Sequence, residues 1–173
     1  MKNLLIKYGV IAGGLAAILF LGPISLYNPD GSNSFMLKYG EVVGYGVQLL
    51  SMLFVIAGVR LISKQTTSSF GFLRALGAGL GITCIATLVF YLGNVLYYVV
   101  LDPDFLTEFM KGYGPAMLEQ AETAEEKARL QQEFASWEPL LKNGWLYAAI
   151  MCMSVFGFGL VFSLLSAFFY KHK

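Results

Sequence analysis

Residues 76–101 read LGAGLGITCIATLVFYLGNVLYYVVL, and no side chain among them carries a formal charge. A helix that crosses the hydrocarbon layer needs about 20 mostly apolar residues, at a rise of about 1.5 Å each. This run is long enough, and it lacks the strict apolar–polar alternation of a barrel strand. It reads as a membrane-spanning helix.

Working outward, three more blocks meet the same test: residues 4–26, 42–62 and 145–170. The chain of 173 residues fits one domain, here an all-α integral membrane four-helix bundle over residues 1–173. Composition agrees. Hydrophobic residues make up 57% and charged residues 13%, about half of the roughly 25% charged that soluble domains carry. The first block has the Lys2-plus-apolar-run look of a signal peptide. Lys7 interrupts it and no A-x-A site precedes Tyr27, so a retained span is expected.

The charges that remain are unevenly placed. Residues 102–142, between spans three and four, hold nine acids and four bases, thirteen of the 23 charged residues. Seven bases gather at the opposite ends of the spans: Lys2, Lys7, Arg60, Lys64, Arg74, Lys171 and Lys173. The positive-inside rule then puts both termini in the cytoplasm and residues 102–142 outside. In a bacterial cytoplasmic (inner) membrane, outside is the periplasm.

That insert reads as two amphipathic helices. Asp102 and Pro103 favour a helix start, and "DPDFLTEFMKGYG" is expected to end near Gly112. Thr123 and Glu126 match a capping box, with Glu125 and Arg129 as an i,i+4 pair. A second helix is expected from Ala124 to about Trp137. Leu130, Phe134, Trp137 and Leu141 recur at spacings of four, three and four, an apolar stripe. The stripe reads either as a cap on the bundle or lipid interface, anchored by Trp137 and Trp145, or as a docking face for a partner or second protomer.

No acid or base lies at the centre of a span, which weakens ion-driven transport. Polar residues cluster nearer the outer ends. Glu41, Tyr45 and Gln48 share one helix face; Tyr91, Asn94 and Tyr98 share another at matching depth. They read as interhelical contacts or as an outward-facing polar pocket, with a Gln48–Asn94 hydrogen bond expected. Gly9, Gly13 and Ala17 stand four apart, the spacing that lets helices approach closely in lipid. Further glycines cluster at 77, 79, 81, 157 and 159.

Catalytic and metal chemistry find no footing. Cys84 and Cys152 lie inside apolar blocks without a C-x-x-C, and His172 is the one histidine. Asp102, Asp104 and Glu108 lack the organised loop of a Ca²⁺ site. No nucleotide fingerprint occurs. Net charge is +1, with no basic patch for nucleic acid. No catalytic residue, metal or cofactor is expected.

Gly40-Glu41 opening the second span, Ser69-Phe70-Gly71 with Arg74 and Ala75 opening the third, and the Leu-rich end with its basic tail resemble the DUF4199 family. The likeness covers nearly the whole chain. It implies a small four-span inner-membrane protein, of a kind found mainly in Bacteroidota, with a periplasmic helical insert and no assigned activity or site. The reading that fits best is a non-enzymatic scaffold or accessory subunit, in contact with lipid and with a membrane-protein partner or its own copies. The alternative is a small transporter or channel component working as an oligomer.

Overall fold

A computed structural model describes residues 1–25, 34–66 and 69–171. The chain is all-α: α1 (Lys2–Ser25), α2 (Ser34–Ser51), α3 (Leu53–Gln65), α4 (Phe72–Val95), α5 (Phe105–Gln120), α6 (Ala124–Leu141) and α7 (Gly144–Tyr170). A π-helical turn, Leu96–Leu101, extends α4. Among the described residues, four stretches are long and apolar enough to span a membrane: Lys2–Ile24, Val42–Gln65, Phe72–Leu101 and Gly144–Tyr170. They match the four blocks expected from sequence within a few residues.

The second span is one rod with a joint. Ser51 Oγ donates to the Gln48 carbonyl at 2.7 Å, a back-bond that competes with the helical ladder where α2 ends. The Met52 amide is shared between the Gln48 and Leu49 carbonyls, both at 3.2 Å, and α3 then resumes.

Helix α4 is the hub. Gly9 of α1 lies against Ile85, Gly13 against Ala86 and Val89, and Ala17 against Gly93, so α1 runs parallel to α4. On another face Gly79 meets Ser163 and Gly159 meets Thr83, so α7 runs antiparallel. Thr83 and Ser163 close that crossing with a hydrogen bond of 3.1 Å. Helix α3 fills the remaining side, with Gly58 against Ile82 and Tyr8. The result is an up-down-up-down bundle with both termini at one end. Small residues sit inside, among them Ala12, Ala16, Ala86 and Ala148, while Ile18, Leu73, Met153 and Phe169 point outward. Lipid is as apolar as leucine, so close packing rather than burial holds such helices together. The outward leucines and phenylalanines need a hydrocarbon solvent.

The two-residue glycine spacings divide cleanly. Gly79 and Gly159 face a neighbour, while Gly77 and Gly157 have nothing within 4 Å. Two positions along a helix are roughly 200° apart at 3.6 residues per turn, so Gly77 and Gly157 fall away from the α4–α7 crossing, and Gly81 turns from it to Leu5 of α1.

Candidate functional site

The insert folds back over the end of the bundle remote from the termini. Its second helix starts as the sequence suggests. Thr123 Oγ1 accepts from the Glu126 amide at 3.1 Å, and Glu126 Oε2 reaches back to the Glu122 amide at 3.2 Å. That is a capping box displaced by one residue on its return arm. The helix continues past Trp137 to Leu141, and its ion pair is Glu138–Lys142 at 2.7 Å rather than Glu125–Arg129. The hydrogen bond from Lys142 holds the Glu138 carboxyl below the ordinary carboxylate range, but both groups are exposed and the pair adds little stability.

Helix α5 departs further from expectation. It begins at Phe105 after Asp104 and runs through Gly112, Gly114 and Pro115 to Gln120. Gly114 is buried with the Phe134 ring 4.0 Å from where a Cβ would stand, so packing against α6 outweighs the glycine penalty of about 1 kcal/mol. Pro115 withholds one amide from the carbonyl four residues back, that of Lys111, an exposed residue.

Between this cap and the spans lies a chamber of about 420 Å³. A continuous run of ring contacts leads along its wall. Tyr147 meets Tyr98 at 5.2 Å and Tyr98 meets Phe105 at 6.0 Å. Phe105 stacks on Phe109 at 5.9 Å, and Phe109 on Tyr113 at 5.2 Å. Tyr113 then meets Phe134, and Phe134 meets Trp137, both edge-on at 6.2 Å. Such pairs prefer offset or edge contacts and add about 0.5–1.5 kcal/mol each beyond burial. Phe105, Phe109 and Tyr113 are spaced by four, a periodicity legible in the sequence that puts all three on one face of α5.

Tyr98 reaches the chamber through the π-turn. The Asp102 amide bonds the Tyr97 carbonyl at 2.9 Å, five residues back, which is the π pattern. Gly144, at the start of α7, packs directly on this turn: a Cβ there would stand 2.8 Å from the Tyr98 carbonyl oxygen. Asn143 caps α7, its Oδ1 accepting from the Leu146 amide at 3.2 Å.

The residues singled out from sequence separate into two groups. Tyr45, Gln48 and Tyr98 line the chamber, as do Trp137 and Leu141 from the stripe. Leu130 and Phe134 are half-buried on the same inward face of α6, with Phe134 wedged between Tyr113 and Trp137. Tyr91 and Asn94 do not line it. Tyr91 packs on the main core, and Asn94 is fully buried with its Nδ2 donating to the Phe90 carbonyl at 2.8 Å. The π-turn from Leu96 breaks the α register on which their shared face with Tyr98 was counted. The side chain of Glu41 lies outside the described residues.

Gln48 and Asn94 do not bond each other. Gln48, 1% exposed, pairs instead with Ser154 of α7, Oε1 to Oγ at 2.6 Å. Asn94 Oδ1 has no partner among the described residues. Leaving a buried acceptor unmet costs about 1–3 kcal/mol. Asn94→Leu is therefore expected to stabilise the protein by about 1 kcal/mol, read as a melting temperature about 2–4 °C higher in detergent. A lower melting temperature would mean that Oδ1 has a partner.

A helical bundle that is small inside, large outside and capped at one end defines a polytopic integral membrane protein with a chamber beneath its cap. The chain belongs to the DUF4199 family, described as a protein of unknown function, whose pattern it matches over residues 7–172. No curated protein and no solved structure matches it.

Proposed function

We propose that the protein is a non-enzymatic scaffold or accessory subunit of a bacterial cytoplasmic membrane, with cytoplasmic termini and a periplasmic cap that meets other molecules. The observation that carries this reading is the filled interior of the spans. Phe90, Met52, Ile82, Val55 and Val59 are fully or nearly fully buried between the helices, and the buried polar side chains among the described residues are all uncharged. Ion-driven transport usually marks its path with intramembrane charge. Orientation rests on the seven bases at the terminal end of the bundle.

The outer face of α6 is where contacts would form. Gln132 is exposed there, opposite the inward Phe134. A photoreactive residue at position 132 is expected to crosslink a second chain in intact cells, from the periplasmic side. The same probe at position 134 is expected to give only an internal link to α5. Proteoliposomes should show no ion flux above empty vesicles. Flux that Gln48→Leu abolishes would instead favour the alternative, an oligomeric transporter or channel component.

A further inference from the structure

The chamber has a composition that selects a ligand. Eight of its eighteen lining residues are aromatic, in a chain that is 15% aromatic overall. Their rings are held by one another rather than by a ligand: Phe109 is fixed between Phe105 and Tyr113, and Tyr98 between Tyr147 and Phe105. Preformed cavities of roughly 300–1,000 Å³, mostly apolar with a few placed polar groups, are the usual form of small-molecule sites. A volume of about 420 Å³ falls in that range.

Besides four tyrosine hydroxyls, two polar side chains line the chamber, Gln48 and Glu133. Gln48 is the informative one. Ser154 Oγ lies 2.6 Å from Gln48 Oε1 and 2.7 Å from the Met151 carbonyl, yet a hydroxyl has one hydrogen to give. If that hydrogen goes to Met151, the amide turns over and its Nε2 donates to Oγ, leaving Oε1 unused. If it goes to Gln48, Nε2 is unused. In both arrangements Ser154 leaves one of the two amide atoms unused, on a side chain 1% exposed. A ligand oxygen would satisfy it, a carbonyl in one case and a hydroxyl in either.

Charge and access narrow the class. Glu133 is the one charged lining residue and no base joins it, so an anionic headgroup is disfavoured. Tyr45 lines the chamber yet is 51% exposed on the outer flank of its span, so the cavity reaches the lipid-facing surface there. Gly40 and Gly44 present bare backbone on the same wall.

We propose that the chamber binds an uncharged, flat-ringed amphiphile drawn from the bilayer, of the quinone or quinol kind. Its ring lies among the aromatic side chains, one ring oxygen meets the Gln48 amide, and its apolar tail leaves past Tyr45. A straight acyl chain has no use for an aromatic wall or for a buried amide. The inference goes beyond the scaffold reading and stands or falls separately from it. A scaffold without a ligand gives no saturable binding, and a ligand-binding protein without a partner still gives it.

The test uses Trp137 as reporter in the full-length Trp145→Phe protein, reconstituted in nanodiscs of uncharged lipid, with decylubiquinone as probe. Saturable quenching is expected, weakened about tenfold or more by Gln48→Leu and abolished by Ile150→Phe, which fills the chamber from α7. Monoolein and oleate in excess should not compete. Quenching that rises linearly with probe and is the same in both variants would overturn the proposal. So would displacement by monoolein, which would make the chamber an acyl-chain site. If Gln48→Leu fails to fold, Ile150→Phe and the competition arm still decide.

Discussion

Gly13→Leu is expected to leave no folded, monodisperse protein in mild detergent, whereas Gly14→Leu behaves as the parent. The two positions are neighbours in sequence and opposites in environment. A Cβ at Gly13 would collide with the Ala86 carbonyl oxygen and stand 2.8 Å from Val89 Cβ and 2.9 Å from Ala86 Cα. Two of those three atoms belong to the α4 backbone, which cannot swing aside as a side-chain tip can. At Gly14 nothing lies within 4 Å. Overpacking a tight contact costs about 1–3 kcal/mol and more where backbone must move. In lipid no large hydrophobic term offsets the loss of packing. At Gly14 the change gains helix propensity of up to about 1 kcal/mol. Size-exclusion profiles and melting temperatures of the two proteins make the comparison. A Gly13→Leu protein that melts with the parent would show that the α1–α4 contact contributes little.

The same reasoning explains why α4 carries so few large side chains toward its neighbours. It is pressed by α1 through Gly9, Gly13 and Ala17, and by α7 through Gly79 and Gly159. The Thr83–Ser163 bond adds direction to the second contact, worth about 0.6 kcal/mol by analogy with other membrane bundles. A tightly crossed three-helix core of this sort is rigid. It gives the cap a fixed platform, and a chamber keeps its shape only if both of its walls hold still.

The spans were legible because 20 or more apolar residues in a row admit few other structures in a chain this poor in charge. The Gly9–Gly13–Ala17 contact was legible for a related reason: spacing by four keeps one face. Other features depend on what a residue meets after folding. Nothing in Ser51-Met52 announces a joint, because serine chooses between its own backbone and a neighbour only in context. Gly112, Gly114 and Pro115 read as a helix end, yet α6 packs against that stretch and keeps it helical. Of the predicted pocket, Tyr45, Gln48 and Tyr98 line the chamber, while Tyr91 and Asn94 do not. An unbroken α register would put Tyr91, Asn94 and Tyr98 on one face, and a π-turn has no sequence signature. The α6 stripe was visible, but periodicity says that a face is apolar, not what covers it. Here α5 does.

Gly144→Leu should uncouple the cap while the bundle survives, the counterpart of the Gly13 result at the π-turn that follows α4. A Cβ at Gly144 would meet the π-turn mainly through backbone, the Tyr98 carbonyl oxygen at 2.8 Å and its carbon at 3.2 Å, with the Val99 side chain (Cγ2) at 3.1 Å. A leucine there must push α7 away from the turn that carries Tyr98 toward Phe105. The small second core of Tyr98, Phe105 and Leu106, flanked by Leu21, Phe109 and Tyr147, is what fastens the insert to the spans. Helix α6 itself buries no residue fully, so it has no independent hold. The α4–α7 crossing at Gly79, Thr83, Gly159 and Ser163 lies about 15–19 residues away, or about 23–29 Å at 1.5 Å per residue, and should not respond. Hydrogen exchange is the measurement: residues 105–141 are expected to exchange about 10–100-fold faster, corresponding to about 1.4–2.8 kcal/mol of lost local stability, with amides of α4 near Thr83 unchanged. Uniform acceleration across the spans would mean that cap and bundle unfold as one unit. Unchanged exchange in the cap would mean that the second core does not depend on the π-turn.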